Sequence, residues 1–276
     1  MYTQVYQIFH KTKKILGLRE TSPLSIELLN KPHTIISYKE MKYLAMKTKK
    51  KGEYKEVVYS SEWWALLEAL REKAAHVMTA LEAFHLYALV HGSLARGDVN
   101  RSSDVDVFVS EPQSSFQVET ALDRAGVPVN RRLIVQATPN YAMKAYIEVD
   151  AAASVSFPLM RMRRVEREFY KFGGEVNFNQ LRAGIRVMGV DKRLMLIEPT
   201  KNGHAESSVI GREEVAAKRL GVSAETVLDR VRALLKRDKV GRTGVFIKRE
   251  LTSDETFELA MKKLADENPA VRRRKR

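Results

Sequence analysis

Leu89-Val90-His91-Gly92-Ser93-Leu94-Ala95-Arg96-Gly97-Asp98, followed by Ser103-Asp104-Val105-Asp106-Val107-Phe108-Val109, decides how this chain is read. An apolar run stops at Gly-Ser, a short polar crossing follows, and a second apolar run opens on two aspartates. Side chains two apart on a strand point the same way, so Asp104 and Asp106 are predicted to project together while Val105, Val107 and Val109 turn to the buried side. Two adjacent carboxylates stay ionised cheaply only beside a cation, and hard ions such as Mg²⁺ prefer carboxylate and phosphate oxygens. Gly92 and Ser93 supply the other half: a residue without Cβ lets backbone N–H groups approach a phosphate, and the hydroxyl adds a donor. The stretch predicts phosphate and metal meeting in one cleft.

In this order and spacing the residues resemble the nucleotidyltransferase superfamily typified by DNA polymerase β, including the tRNA CCA-adding enzymes and the minimal nucleotidyltransferases. The shared pattern is an apolar strand, Gly92-Ser93, ten intervening residues, and Asp104-Val105-Asp106 in a strand, with the Ala95-Arg96-Gly97 variant of the minimal members. The resemblance covers about residues 61–160. It implies an α/β fold, a mixed sheet with helices on one side, and a third carboxylate from a later strand. Asp150, 44 residues after Asp106, fits that place, and Glu148 on the same predicted face is the runner-up. Asp104, Asp106 and Asp150 would then hold two Mg²⁺ (or Mn²⁺) ions against an NTP substrate, with Asp150 orienting or accepting the acceptor proton. Gly92, Ser93 and Arg96 are the candidate nucleotide-binding residues. For Arg96 a salt bridge to Asp98 or Asp104 is the competing role, and for His91, a candidate substrate contact, it is packing.

The 276 residues suffice for two modest domains, and 44% hydrophobic content allows real cores. No run approaches the length of a membrane span and no apolar signal core is recognised at the N-terminus, so a cytoplasmic protein with no membrane partner is expected. The absence of cysteine excludes disulfides, thiolate metal sites and a cysteine nucleophile. The net charge of +14 is unevenly spread: residues 1–60 hold 12 Lys/Arg against 5 Asp/Glu, residues 61–210 hold 18 against 18, and residues 211–276 hold 18 against 11. Basic flanks around a neutral middle predict a polyanionic partner such as RNA or DNA, because each basic side chain that displaces a phosphate counterion adds affinity. A charge-rich soluble surface is the alternative.

Four segments are expected. Residues 1–56 are a basic N-terminal segment without assignable chemistry: a subdomain, an arm or a dimerisation element, which keeps a homodimer open. Residues 57–205 form the nucleotidyltransferase domain. Within it, Trp63, Leu66, Leu67, Leu70, Ala74, Val77, Leu81 and Phe84 recur at helical spacing over 61–84 behind Ser60 or Ser61 as cap. Further on come a helix over 115–125, strands at 133–137 and 145–150, a helix over 159–172 and a strand at 194–197. Arg163, Arg167 and Lys171, one turn apart, predict a basic stripe beside the acceptor, or a solvated face balanced by Glu166 and Glu168. Residues 206–252 read as a winged helix-turn-helix: Gly221 at the turn, Ser223 capping the second helix, and a hairpin over 239–248 as the wing. Thr226, Arg230 and Arg242 are then the exposed nucleic-acid-binding positions, the core being expected to stand without this module. Residues 253–276 read as a terminal helix with a disordered basic tail. The C-terminal layout also resembles the archaeal predicted nucleotidyltransferases that carry a helix-turn-helix.

The resulting expectation is transfer of a nucleoside monophosphate from an NTP to a hydroxyl on RNA or DNA. Two alternatives stay open: an acceptor that is a protein side chain or small molecule, as in antitoxin-type members, and a winged-helix regulator whose core senses nucleotide without turnover.

Overall fold

The computed structural model describes residues 54–111, 114–241 and 243–275. Most of the basic N-terminal segment, and Arg242 of the expected wing, lie outside the described residues. Strand β1 (Lys55–Val58) leads to helix α1 (Ser61–Glu82), which starts where the Ser60 hydroxyl accepts the Trp63 N–H at 3.3 Å and buries Leu67, Ala74, Val77, Met78 and Leu81 as its stripe requires. Then come β2 (Ala88–His91), the single turn α2 (Ser93–Arg96), β3 (Val105–Val109), α3 (Ser115–Arg124), β4 (Arg131–Gln136), β5 (Lys144–Asp150) and β6 (Ala153–Pro158). Helix α4 (Arg164–Phe172) is followed by β7 (Glu175–Asn177), α5 (Phe178–Arg182), β8 (Gly189–Val190), β9 (Met195–Thr200) and β10 (Gly203–Ser208). The chain ends in α6 (Glu213–Leu220), α7 (Ala224–Val240), β11 (Ile247–Glu250), α8 (Phe257–Glu267) and α9 (Pro269–Lys275).

Seven strands form one mixed sheet in the order β11-β4-β5-β6-β3-β2-β7, and β1-β10-β9-β8 form a smaller antiparallel sheet. Strand β6 was not anticipated: Ala153-Ser154-Val155-Ser156 lacks the bulky residues that mark a strand, yet it lies at the centre, parallel to β3 and antiparallel to β5. It shortens the helix expected from 159. The strand continues to Pro158, the Leu159 N–H still donates to the Met143 carbonyl at 2.9 Å, and α4 begins only at Arg164.

Both faces of the sheet are covered, not one. Val105, Val107, Val155, Ile147 and Phe157 pack with α1, α3 and α8 in the main core. On the opposite face α4 lays Tyr170 flat on Phe108, ring centroids 3.7 Å apart and 13° from parallel. The pair α6–α7 docks onto α4 through one carboxylate: Glu168 accepts the Ser223 N–H (2.9 Å), the Ser223 hydroxyl (2.6 Å) and the Thr226 hydroxyl (2.6 Å).

The helix-turn-helix is present, and among the described residues no wing accompanies it. Gly221 takes the left-handed conformation that ends α6, and Ser223 caps α7, as the sequence predicts. Among the described residues of 239–248 no hairpin is found. Helix α7 runs to Val240, and β11 pairs antiparallel with β4, Ile247 opposite Gln136 and Glu250 opposite Leu133, so the expected wing strand is an edge of the main sheet. Phe257, Ala260, Ala265 and Val271 are buried in the main core, so residues 247–275 belong to the body they were expected to leave. The basic tail is helical as well. Arg274 donates to the carbonyls of Asn140 (3.0 Å) and Arg161 (2.8 Å) and to the buried carboxylate of Glu166 (3.0 Å), which Arg163 also pairs at 3.2 Å.

Candidate active site

The turn after β2 is built for close backbone approach. Gly92 sits at φ +76° with open space where a Cβ would project, and its N–H donates to the Gly174 carbonyl at 2.9 Å. The Ser93 hydroxyl meets the Ser103 hydroxyl at 3.2 Å, tying the turn to the loop that delivers Asp104. Arg71 fixes it from behind. This buried guanidinium on α1 donates to the carbonyls of Leu94 (3.0 and 2.9 Å), Ala95 (3.3 Å) and Ile185 (2.8 Å), satisfying the end of α2. Sequence reading passed over Arg71, although a cation in the apolar stripe of α1 was the available signal.

Alternation holds in β3: Val105, Val107 and Val109 are buried and Asp106 is exposed on the other face. Pairing sets Asp106 beside Ser154, Ser154 beside Glu148, and Glu148 beside Arg131, while His91 lies beside Glu175. Continuing the β2–β3 register one step past Val90–Val107 brings His91 opposite Asp106, so a single polar row crosses the sheet. The Ser154 hydroxyl donates to Asp106 at 3.0 Å. His91 stands edge-on to Tyr170, centroids 4.8 Å apart; burial in this aromatic wall pushes its pKa down to about 4 against the pull of Asp106. Burial, and then the Asp106 charge, push the Tyr146 hydroxyl on the same face up to about 12.

Asp150 is not brought to this row. The β5–β6 register shifts between Glu148 and Asp150, so Asp150 pairs with Ala153, a residue packed in the α1-covered core. Its carboxylate ion-pairs with Lys73 of α1 and accepts the Ala152 N–H at 2.7 Å. Burial alone would raise its pKa, but these partners outweigh it and hold the group below the usual carboxylate range. Strict alternation through β5 missed the bulge. Glu148 is in the row of Asp106, separated from it by Ser154, and faces Arg131 at 3.6 Å. Among the described residues no three Asp, Glu or His side chains converge as a metal cluster.

Arg96 turns away from a phosphate role. It is buried, pairs Asp98 through two bonds of 2.9 Å and donates to the Gly173 carbonyl at 2.6 Å, joining the Gly-Ser turn to the end of α4. The basic stripe of α4 divides. Arg163 sits at the start of the helix over the Tyr141 ring, 5.0 Å from its centroid, whereas Arg167 and Lys171 line a cleft of about 710 Å³ against β7, β9 and α6. There Arg167 clamps Glu175 at 2.5 and 3.0 Å. Two of the three expected recognition positions point inward: Thr226 is buried on Glu168, and Arg230 lies over the Phe169 ring at 4.7 Å, its pKa lowered by burial. Helix α7 spends that face on α4. His204, left without a role by the sequence, is buried against the Tyr59 hydroxyl at 2.7 Å.

No curated protein matches the chain. Residues 85–167, which span the Gly-Ser turn, both aspartates of β3 and the strands up to α4, match the family model of the nucleotidyltransferase domain, and a mixed sheet with flanking helices fits that fold. This part of the chain is similar to nucleotidyltransferase domains, consistent with the polymerase β-like superfamily.

Proposed function

We propose that the protein transfers a nucleoside monophosphate from an NTP to a hydroxyl on RNA or DNA and releases pyrophosphate. The observation that carries this reading is Asp104 and Asp106 at the head of β3, beside the Gly92-Ser93 turn and inside the matched segment. The donor set fits a divalent ion. Asp98, Asp150, Asp191, Glu166 and Glu175 each have an Arg or Lys partner, whereas among the described residues no cation pairs with Asp104 or Asp106. Bound there, Mg²⁺ would neutralise the carboxylates and the phosphate charge that builds up during transfer. With Asp150 held by Lys73, the fit is to one ion on two carboxylates, not to the two-ion, three-carboxylate set that the resemblance implies.

The chain's own groups do the positioning. Open backbone at Gly92 and the Ser93 hydroxyl face the phosphates, and Arg71 and Arg96 keep that turn rigid from behind. Ser154 holds one oxygen of Asp106 and leaves the other free. The acceptor oxygen bonds to the α-phosphorus, the bond to the bridging oxygen breaks with its electron pair leaving on pyrophosphate, and the hydroxyl proton passes to water. Incubating the full chain with each labelled NTP and Mg²⁺, with total RNA, DNA or no acceptor, tests the proposal. Label in a polynucleotide together with pyrophosphate supports it; label on the protein itself or on a small molecule would replace the acceptor, and no transfer with any NTP would refute the enzyme reading.

A further inference from the structure

We infer, on the reading of the protein as a nucleotidyltransferase, that the cleft between α4, β7, β9 and α6 holds the phosphate backbone of a single-stranded polynucleotide whose terminal hydroxyl is the acceptor at Asp104 and Asp106. Four cations, Arg167, Lys171, Arg186 and Arg219, face two carboxylates, Glu175 and Glu198. Arg167 is spent on Glu175, and Arg219 on Glu198 with one bond at 2.9 Å. Among the described residues no carboxylate pairs with Lys171. Among the described residues Arg186 meets no carboxylate; it donates to the carbonyls of Gly203 (2.8 Å) and Thr200 (2.5 Å) and lies over the faces of Tyr59 and Trp64. The cleft thus carries positive charge that its own acids do not cancel, and the exposed Arg219–Glu198 pair can be exchanged for a phosphate at little cost.

Position separates a polynucleotide from a lone nucleotide. Glu175 and Leu89 put the inner end of the cleft on the same sheet face as Asp106, and in the polar row His91 alone stands between Glu175 and Asp106. Two strand spacings are about 10 Å. An NTP with its α-phosphate at the aspartates and its other phosphates at the Gly-Ser turn, which is bonded to Gly174, reaches the inner end of the cleft at Glu175 but does not account for Arg219, which pairs with Glu198 on β9 of the other sheet. A chain does: its reacting end lies at the aspartates and its next phosphates fall in the cleft. Among the described residues no aromatic ring lines the cleft, while Asn177 and Gln180 do, so the chain is held by its backbone and without strong sequence preference.

The test measures binding of a fluorescein-labelled twelve-nucleotide single-stranded RNA of mixed sequence, and separately of ATP with Mg²⁺, to the full chain at several salt concentrations, with the same sequence as DNA alongside. Lys171→Glu combined with Arg219→Glu should weaken RNA binding about tenfold or more and flatten the salt slope by about 1.4, as two lost contacts to a single strand require. ATP affinity should not change. Lys171→Gln alone should act in the same direction and covers the case in which the double variant folds poorly. Lys236→Glu with Lys239→Glu, on the exposed side of α7, should leave RNA binding as it was. Unchanged RNA affinity and slope in the cleft variants, an equal loss in the α7 variant, or loss of ATP binding with RNA binding intact would each overturn the inference. Because the readout is binding, a protein that holds RNA through the cleft but transfers no nucleotide would defeat the proposed function alone. One that transfers nucleotide while its cleft variants bind RNA normally would defeat this inference alone.

Discussion

Replacing Asp150 by alanine tests the site more sharply than replacing Asp106, because sequence and structure disagree about it. As a third metal ligand, Asp150 would be worth orders of magnitude in turnover. In the structure its carboxylate lies past a bulge, paired with Lys73, and both side chains are 39% exposed. An ion pair that accessible to water contributes about 0–1 kcal/mol, so Asp150→Ala should unfold at nearly the wild-type temperature. If the lost pair disturbed the reaction by all of that energy, the rate would change no more than about fivefold. Asp106→Ala should differ in kind: it removes an exposed carboxylate that, among the described residues, accepts a hydrogen bond from the Ser154 hydroxyl alone, so the fold should survive while transfer falls by about a thousandfold or more. Initial rates with labelled NTP at saturating Mg²⁺, read beside thermal unfolding curves, decide between the two. A loss in Asp150→Ala comparable to that in Asp106→Ala, with an unchanged melting curve, would refute the placement of the bulge and return Asp150 to the metal.

Three further outcomes follow from the interior. Glu166 would be raised by burial, but the N–H groups of Ala142 and Arg163 and the Arg163 and Arg274 guanidinium groups hold it below the usual carboxylate range, so its contribution is present above that range and lost as pH falls through the folded value. Glu166→Gln should cost about 3 kcal/mol in urea unfolding at pH 7 and flatten the acid side of the stability profile. Thr226→Val removes one of three donors to Glu168 and should cost about 1–2 kcal/mol in the same assay without altering RNA affinity, the opposite of what a recognition residue would do. Burial lowers Lys144 to about 8 beside the Tyr170 hydroxyl. Between that value and about 10.4 the unfolded chain keeps a proton that the folded chain releases, so stability should rise with pH there, and Lys144→Met should abolish the slope.

The parts of the fold that sequence made legible are those whose signal is local. The stripe from Leu67 to Leu81, the caps at Ser60 and Ser223, the left-handed turn at Gly221 and the alternation of Val105, Asp106 and Val107 each follow from residues within a turn or two. Where a partner far along the chain decides, the sequence misleads. Asp150 alternates with Ile147 in the text of the chain, but a bulge set by pairing with β6 turns it toward Lys73. Arg96 looks available to phosphate until Asp98 and Gly173 claim it, and Thr226 and Arg230 look like an exposed reading face until α4 covers them. Ser154 carried no signal at all, because a serine among alanines gains meaning only from the strand it lies beside.

The pairing of β11 with β4 also bears on how the protein is made. Leu133 to Gln136 wait for Ile247 to Glu250, more than a hundred residues downstream, before their outer hydrogen bonds are satisfied. During synthesis the sheet that carries the aspartates therefore remains unfinished at one edge until residues 247–250 have been produced, and that open edge is an invitation to pair with another nascent chain. Arg131 and Arg132 at the head of β4 place charge along this border, which discourages such pairing in the interval. A ribosome that stops short of residue 247 would release not a smaller version of this fold but a sheet with an unprotected flank.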